Sequence, residues 1–423
     1  MIAFLQLNFC KDLPLTEFLG EPLLKRQLTQ LRDSGFTRVY VCLSKEQSSY
    51  LDSLKIEGLE VKPTIESRNL GSAGALYYLF KEGVGDFAFI RGDVFFDIDW
   101  VRFQKRFEEC EPLICPLVHP VPNPEKEDIY LTTKESKAIA ILDKARERDF
   151  YFDNLVDAGI YLVSKDMLDT FDGMASPIKM DFYEELLLPC VACEGVYVYQ
   201  SPEYVRNCAF SHQKEKICRD LERNIPQKRN LKNPQKAIFL DRDGTINFFG
   251  DYVVKPEMLA LNPGAADAIK RINDSEYLAI CATNQPVVAR GETDLSTLAE
   301  IHRRMEDLLG AEGAYIDALY FCPHFPSRGA KGEDPELSIS CDCRKPNIGM
   351  LLHAQHDFNI DLSASWFVGD TNKDVQTGIN AGCKTVLLLC GDPNPARTNK
   401  DAVPTHVAKD LSEAIDLILG TRA

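Results

Sequence analysis

The stretch Ala237-Ile-Phe-Leu-Asp-Arg-Asp-Gly-Thr245 decides the fold of the C-terminal half of the chain. Its four apolar residues read as a buried strand, and two acids, a glycine and a threonine follow at the carboxyl end. The pattern returns twice downstream: Leu278-Ala-Ile-Cys-Ala282 runs into Thr283-Asn284-Gln285, and Ser365-Trp-Phe-Val-Gly369 runs into Asp370-Thr-Asn-Lys-Asp374. Open parallel sheets bind ligands at the carboxyl edge of their strands, so these polar groups are expected to converge. Carboxylates gathered in one place repel one another unless a cation sits among them. Hard oxygen donors with room for a phosphate favour Mg²⁺. Unrelated loop acids would account for a lone DxD, but not for polar groups at three strand ends together with Lys345 in Arg344-Lys345-Pro346.

DxDGT after an apolar strand, Thr283, Lys345 and Gly369-Asp370-x-x-x-Asp374 stand in the order of the four motifs of the haloacid dehalogenase (HAD) superfamily, which this half resembles. The resemblance implies that Asp241 attacks phosphorus and forms an aspartyl-phosphate, the covalent route open to a carboxylate. Asp243 is then the general acid and base, and an acid at that position favours hydrolytic turnover. Thr283 is expected to bind phosphoryl oxygens, and Lys345 to offset their charge. Mg²⁺ is expected on the Asp241 and Asp370 carboxylates and the Asp243 backbone carbonyl, with Asp374 outside the first ligand shell.

Cys322-Pro-His324 and Cys341-Asp-Cys343 form two short ligand pairs separated by sixteen residues. Cys₃His is a tetrahedral structural zinc set. The intervening FPSRGAKGEDPELSIS is too polar to build a core, so a Zn²⁺ pinning its ends would supply folding energy. The alternative is four reduced side chains that are close only in sequence. With these pairs, DRDGTIN (241–247), TNQPVVARG (283–291), CDCRKP (341–346) and VGDTNKD (368–374) resemble D-glycero-D-manno-heptose 1,7-bisphosphate phosphatases over 237–395. Histidinol-phosphate phosphatases belong to the same branch. Substrate contacts are expected from Asn284, Gln285, Arg344 and Tyr252, the last in the turn after the nucleophile. NFFGDY (247–252) is more apolar than that family's turn and Pro286 replaces a small residue, which leaves sugar and anomer open. Arg290-Gly291 favours the heptose branch.

Upstream, Pro22-Leu23-Leu24, Glu66, Leu70-Gly-Ser-Ala-Gly-Ala-Leu76, Gly92-Asp93 and Ala158-Gly-Ile-Tyr161 resemble sugar-1-phosphate nucleotidyltransferases over about 1–210. That family approaches nucleotide phosphates with a glycine-rich loop after its first strand, where small size and backbone N–H groups matter. Here Asn8–Thr16 contains no glycine, and Lys11 is the one loose candidate for a phosphate-binding cation. Asp93 matches one metal-binding aspartate, and Asn207 stands where the second is expected. A retained fold with degraded chemistry is the expectation.

Both halves alternate short apolar runs with amphipathic stretches, the signature of α/β folds. The expected order is a Rossmann-type mixed sheet in a nucleotidyltransferase-like domain (1–225), a linker (226–236) and a HAD-type parallel sheet with a zinc-bound loop (237–423). Strands are expected at Ile2–Leu7, Arg38–Leu43, Phe87–Ile90, Leu113–Val118 and Ile160–Val163, with a hairpin around Ile129–Leu142. C-terminal strands are expected at Ala237–Leu240, Tyr277–Ala282, Ala318–Phe321, Ser365–Val368 and Lys384–Leu389, with helices at Gly264–Asn273 and Leu295–Leu309. The 423 residues are 45% hydrophobic and 26% charged, which excludes fibrous and disordered classes. A net charge of −16 argues against sequence-blind nucleic-acid binding, including that of a DNA 3′-end phosphatase, but not against a small phosphorylated sugar. No apolar run reaches membrane-spanning length. MIAFLQLNFCKD carries no signal-peptide pattern, so a cytoplasmic protein with most of its 14 cysteines reduced is expected. Oligomeric state is not encoded in any motif. Two rival readings concern the N-terminal half: an active transferase in a bifunctional enzyme of NDP-heptose synthesis, or a module that binds a sugar phosphate or nucleotide.

Overall fold

The computed structural model describes residues 1–420 apart from 53, 134, 145–149, 210, 328, 330, 331 and 390–401. Part of the expected family resemblance (390–395) and three positions of the Cys/His loop therefore lie outside the described residues. The chain divides into two compact units, Met1–His119 with Asp128–Asp143 and Leu155–Asn230, and Leu231–Ala423 with Pro120–Glu127 and Lys144–Asn154. The division at Asn230/Leu231 falls inside the stretch expected as a linker, where Gln227, Lys228, Lys232, Asn233 and Pro234 are exposed but the residues between them are buried. Ile225–Arg229 is a short helix with Pro226 in its first turn, where a missing N–H costs nothing. Ile225, Pro226 and Arg229 are buried, Leu231 enters a C-terminal core cluster, and Lys236 already opens a strand.

The C-terminal unit carries a six-stranded sheet in the order Ala318–Cys322, Tyr277–Asn284, Lys236–Leu240, Trp366–Gly369, Lys384–Leu388 and His406–Ala408. Every neighbouring pair is parallel. The strand Lys236–Leu240 is buried on both faces: Ile238 and Leu240 join one core cluster, Ala237 and Phe239 the other. Such two-sided burial makes parallel strands read as continuous apolar runs. From this strand the chain winds out to one side and returns to the other. The crevice between Lys236–Leu240 and Trp366–Gly369 is therefore the switch point where α/β sheets bind ligands.

The N-terminal unit holds a nine-stranded mixed sheet. Its main path runs Ala138–Leu142, Ile129–Thr132, Val156–Val163, Phe87–Arg91, Ile2–Gln6, Arg38–Ser44 and Glu60–Glu66, the last four parallel. Val156–Val163 also pairs with Ile114–His119, and Val94–Asp97 pairs separately with Tyr204–Asn207. Among the described residues no helix is long and apolar enough to cross a membrane.

Candidate active site

Asp241 follows the central strand of the C-terminal sheet and Asp370 follows the neighbouring Trp366–Gly369, so both sit at the switch point. Asp374 reaches the same place from the first turn of the helix Asn372–Asn380. Carboxylate oxygens of these three buried residues lie within 4.8 Å of one another. Lys345, 3% exposed, places its Nζ 2.8 Å from Asp241 Oδ1 and 2.6 Å from Asp374 Oδ1. The other Asp374 oxygen accepts hydrogen bonds from the Thr371 N–H (3.0 Å) and hydroxyl (2.5 Å), closing a capping box that fixes the helix and the carboxylate together.

Burial pushes the Asp241 carboxyl up to about 7; Lys345 opposes the rise, while Asp374 and Asp243 add to it. For Lys345 burial works against the charged form, but Asp241 and Asp374 outweigh it and the ammonium is held charged. Gly244 has φ +82°, and a side chain there would strike the Asp370 carboxylate. Glycine answers both demands. A cradle of three buried carboxylates served by one lysine fits a hard divalent cation.

Asp243 is caged. Its Oδ1 accepts from Arg242 Nε (3.0 Å) and Asn247 Nδ2 (3.0 Å); its Oδ2 accepts from Arg242 Nη2 (2.9 Å) and Gln285 Nε2 (2.8 Å). Arg242 is fully buried and donates a further bond to Gln285 Oε1 at 3.0 Å. Gln285, expected to touch substrate, is 1% exposed and turns inward, its Nε2 also reaching Thr283 Oγ1 at 3.0 Å. Asn284 is likewise committed: its side chain donates to the Lys345 carbonyl (3.2 Å) and accepts from the Lys345 N–H (3.0 Å). Both side chains are thus spent on holding their neighbours, Lys345 in one case and Asp243 and Thr283 in the other. The sequence reading missed Arg242 and Asn247 because an arginine between two acids resembles a solvated charge run.

Above the cradle, Arg344 donates to the His324 carbonyl (2.9 Å), and its guanidinium lies 5.0 Å from the Phe325 ring centroid. Arg290 stands 4.3 Å from the Tyr252 ring centroid and 5.7 Å from that of Phe325. Two guanidinium groups thus share Phe325, which the sequence reading did not single out. Phe248 and Phe249 in the preceding turn are exposed.

The expected Cys/His set is assembled. Cys322 Sγ lies 3.6 Å from His324 Nδ1 and 3.5 Å from Cys341 Sγ; Cys343 Sγ lies 3.3 Å from each of His324 Nδ1 and Cys341 Sγ. Burial pushes the Cys322 thiol up to about 11, a cost that a bound cation would reverse by holding the thiolate. The four donors could hold one tetrahedral metal ion.

In the N-terminal unit a cavity of about 500 Å³ is lined by Lys11, Arg91, Asp93, Asp128, Asp157 and Asp181 among others. Asp93 is bound two-pronged by Arg91, Nη2 to Oδ2 at 2.6 Å and Nε to Oδ1 at 3.1 Å. The structure brings the expected pair of positions together: Cys208 N–H donates to the Asp93 carbonyl at 2.7 Å. Asn207, beside it, uses its side-chain oxygen to accept from Ala209 N–H (2.8 Å). In the loop after the first strand Asn8 Nδ2 donates to buried Glu66 at 3.1 Å, while Phe9, Cys10, Lys11 and Leu13 line the cavity.

Comparison with known proteins agrees with this division. Residues 342–414 match the HAD-hydrolase-like family model and residues 10–201 the nucleotidyl transferase model. D-glycero-D-manno-heptose-1,7-bisphosphate 7-phosphatase of Thermosynechococcus vestitus is 37% identical over 189 residues, 44% of this chain and 96% of that protein. The D-glycero-beta-D-manno-heptose-1,7-bisphosphate 7-phosphatase of Yersinia pestis is 39% identical over 158 residues, 37% of this chain and 82% of that protein. A crystal structure of D,D-heptose 1.7-bisphosphate phosphatase from B. bronchiseptica, complexed with magnesium and phosphate, is 32% identical, covering 44% of this chain and all (100%) of that one, with a TM-score of 0.39. The chain is a phosphoric monoester hydrolase with a nucleotidyltransferase domain N-terminal to it, and it belongs to the HAD-like heptose-1,7-bisphosphate phosphatase family.

Proposed function

We propose that the C-terminal unit is a Mg²⁺-dependent sugar-phosphate phosphatase working through an Asp241 aspartyl-phosphate, with D-glycero-D-manno-heptose 1,7-bisphosphate as its substrate. The observation that carries this reading is the buried trio Asp241, Asp370 and Asp374 with Lys345 between two of them. Mg²⁺ held by Asp241, Asp370 and the Asp243 carbonyl would offset the repulsion between nucleophile and phosphate dianion. Lys345 opposes protonation of Asp241 and orients it, and Thr283 hydrogen-bonds the phosphoryl oxygens. Asp243 protonates the leaving alkoxide and then takes the proton of the hydrolytic water. Arg344, its guanidinium over Phe325, offers a cation to a second phosphate, and Arg290, over Tyr252, would join it on giving up its Glu292 partner, which favours a bisphosphate over a single-phosphate ester.

The Cys322/His324/Cys341/Cys343 set takes Zn²⁺ as a structural ion in this reading. Tetrahedral zinc with sulfur at about 2.3 Å and nitrogen at about 2.0 Å separates its ligands by roughly 3.5–3.8 Å. Four of the six donor pairs stand 3.3–3.6 Å apart, and all lie within 4.8 Å. Cysteines without disulfide partners among the described residues suit a reducing cytoplasm. The N-terminal unit is read as a degenerate transferase: Asp93 already has a cation, Asn207 is a poor metal ligand, and acids outnumber bases in its cavity.

Phosphate release from both anomers of the heptose bisphosphate, histidinol phosphate and common hexose phosphates tests the reading. Heptose bisphosphate should be the best substrate, Mg²⁺ should restore EDTA-treated enzyme, and Asp241→Asn should be inactive. An active Asp241→Asn refutes the covalent route. Nucleotidyl transfer to heptose 1-phosphate that vanishes in Asp93→Ala would instead establish a bifunctional enzyme.

A further inference from the structure

Two cations from different loops share the ring of Phe325, and the loops themselves are locked together. The Phe325 N–H donates to the Leu337 carbonyl at 3.1 Å, across the Cys/His loop. Further along that loop Asp334 N–H donates to the Ala289 carbonyl at 2.9 Å, and a side chain at Gly291 would strike the Gly332 carbonyl. The segment carrying Arg290 is thus fixed against the loop carrying Phe325. Thr293 Oγ1 donates to the Val254 carbonyl at 3.3 Å, which ties in the turn that carries Tyr252.

The cations are only lightly committed elsewhere. Arg344 spends one N–H on the His324 carbonyl and has no acid partner among the described residues. Arg290 makes one hydrogen bond of 3.3 Å to Glu292; its Nε is 2.9 Å from the other Glu292 oxygen but not aligned to bond it. Glu292 is 42% exposed, so water screens that pair. Like charges gathered near one point repel. The negative face of an aromatic ring attracts both, and here the guanidinium groups of Arg344 and Arg290 lie 5.0 and 5.7 Å from the same centroid. An aliphatic side chain of similar bulk would fill the space and attract neither.

We propose that Phe325 is a positioning residue that holds Arg344 and Arg290 as a pair for a second phosphate, and so sets the preference for a bisphosphate over the single-phosphate ester with the same scissile bond. The proposal rests on the phosphatase reading above and deepens it. A phosphate dianion matches two guanidinium groups in charge, and each can offer it parallel N–H bonds. Bond breaking takes place at Asp241, so the pair acts on binding of the far phosphate and not on the chemical step. A ring that only packed the loop would behave differently. Its loss would disturb the Arg344-Lys345 segment, and Lys345 serves Asp241 whichever substrate is bound. Both substrates would then suffer alike.

Steady-state kinetics of the full chain with Mg²⁺ test this, using D-glycero-D-manno-heptose 1,7-bisphosphate and the corresponding 7-phosphate. Wild type should favour the bisphosphate in kcat/KM. In Phe325→Leu that preference should shrink roughly 5–30-fold, mainly through KM for the bisphosphate, as expected from losing two partly exposed cation–ring contacts. Phe325→Tyr keeps the ring and should hold the preference within about threefold of wild type. Arg290→Gln should also shrink it, and should subtract less in the Phe325→Leu background, where the pair is already broken. If Phe325→Leu does not fold, Phe325→Met, whose flexible chain fills irregular gaps, takes its place. An unchanged preference without the ring, whether both substrates lose equally or neither loses, would overturn the proposal, as would a Phe325→Tyr that loses as much as Phe325→Leu. A wild type with no preference for the bisphosphate would refute the substrate reading itself, a result visible before any variant is made, and the proposal would fall with it.

Discussion

Replacing Lys345 by Met removes the one ammonium that lies between Asp241 and Asp374 while keeping the stem's bulk. Its Nζ is 2.8 and 2.6 Å from their oxygens, and the residue is 3% exposed. Breaking a buried pair by deleting one partner costs about 3–5 kcal/mol, because the other charge stays buried and uncompensated. Here two carboxylates lose their partner, but proton uptake offers Asp241 an escape. Burial already lifts that carboxyl to about 7 and Lys345 is the main force holding it down, so the variant's Asp241 should titrate higher still. The loss should therefore be larger at pH 8 than at pH 6, where the carboxyl is mostly neutral in both proteins, and full only above the variant's raised pKa. At 2–4 °C per kcal/mol for a unit of this size, the C-terminal transition should fall by roughly 6–20 °C in EDTA at pH 8. Excess Mg²⁺ should narrow the gap, because a bound cation replaces the missing charge. Differential scanning calorimetry at both pH values, with EDTA and with Mg²⁺, reads all of this. A variant as stable as wild type in EDTA at pH 8 would mean that the carboxylates are not held against one another as described.

Three further outcomes follow from other parts of the molecule. Cys341→Ser should lower zinc from about one ion per chain and reduce phosphatase activity, because Cys343 precedes the Arg344-Lys345 pair; elemental analysis beside a rate assay checks it, and a fully active wild type without zinc would dismiss the site. Gly244→Ala should cut activity by at least an order of magnitude and raise the Mg²⁺ concentration needed, since φ is +82° and the new methyl group meets Asp370; unchanged Mg²⁺ dependence would contradict that placement. His119 is buried and its pKa is pushed down to about 3 by burial and by nearby Arg206. It stays neutral in the fold while the unfolded chain takes up a proton below about 6.5, so stability is lost as pH falls from there, at roughly 1.4 kcal/mol per unit. His119→Gln should flatten this slope in denaturant unfolding at pH 7.5 and 5, and an unchanged slope would assign the loss elsewhere.

The C-terminal fold was legible because its four inner strands are buried on both faces, which makes most of each run apolar. Lys236–Leu240 and Lys384–Leu388 differ from expectation by one residue at an end. The edge strand His406–Ala408 was not legible: only one side has a partner, and two of its three residues are exposed. Glu60–Glu66 hid for a related reason, since its burial is patchy and it lies at the sheet margin. In the site, residue types were readable but their directions were not. Asn284 and Gln285 follow a strand end that faces the ligand, yet hydrogen bonding to Lys345 and Asp243 turns both away from it. Charge misled at Ile225–Arg229, where lysine and arginine conceal a helix whose apolar side is buried.

The grip of Arg91 on Asp93 makes the N-terminal cavity hard to repair. Restoring an acid at Asn207 alone would set a second carboxylate beside one that already has its counter-ion, and a divalent metal would have to evict a guanidinium bound through two bonds. Removing Arg91 alone would leave a half-buried aspartate with no cation and no second ligand. Metal binding there would need both changes together. If the unit is the degenerate transferase proposed above, the ion pair works as a ratchet that keeps stepwise substitution from readily restoring a metal site.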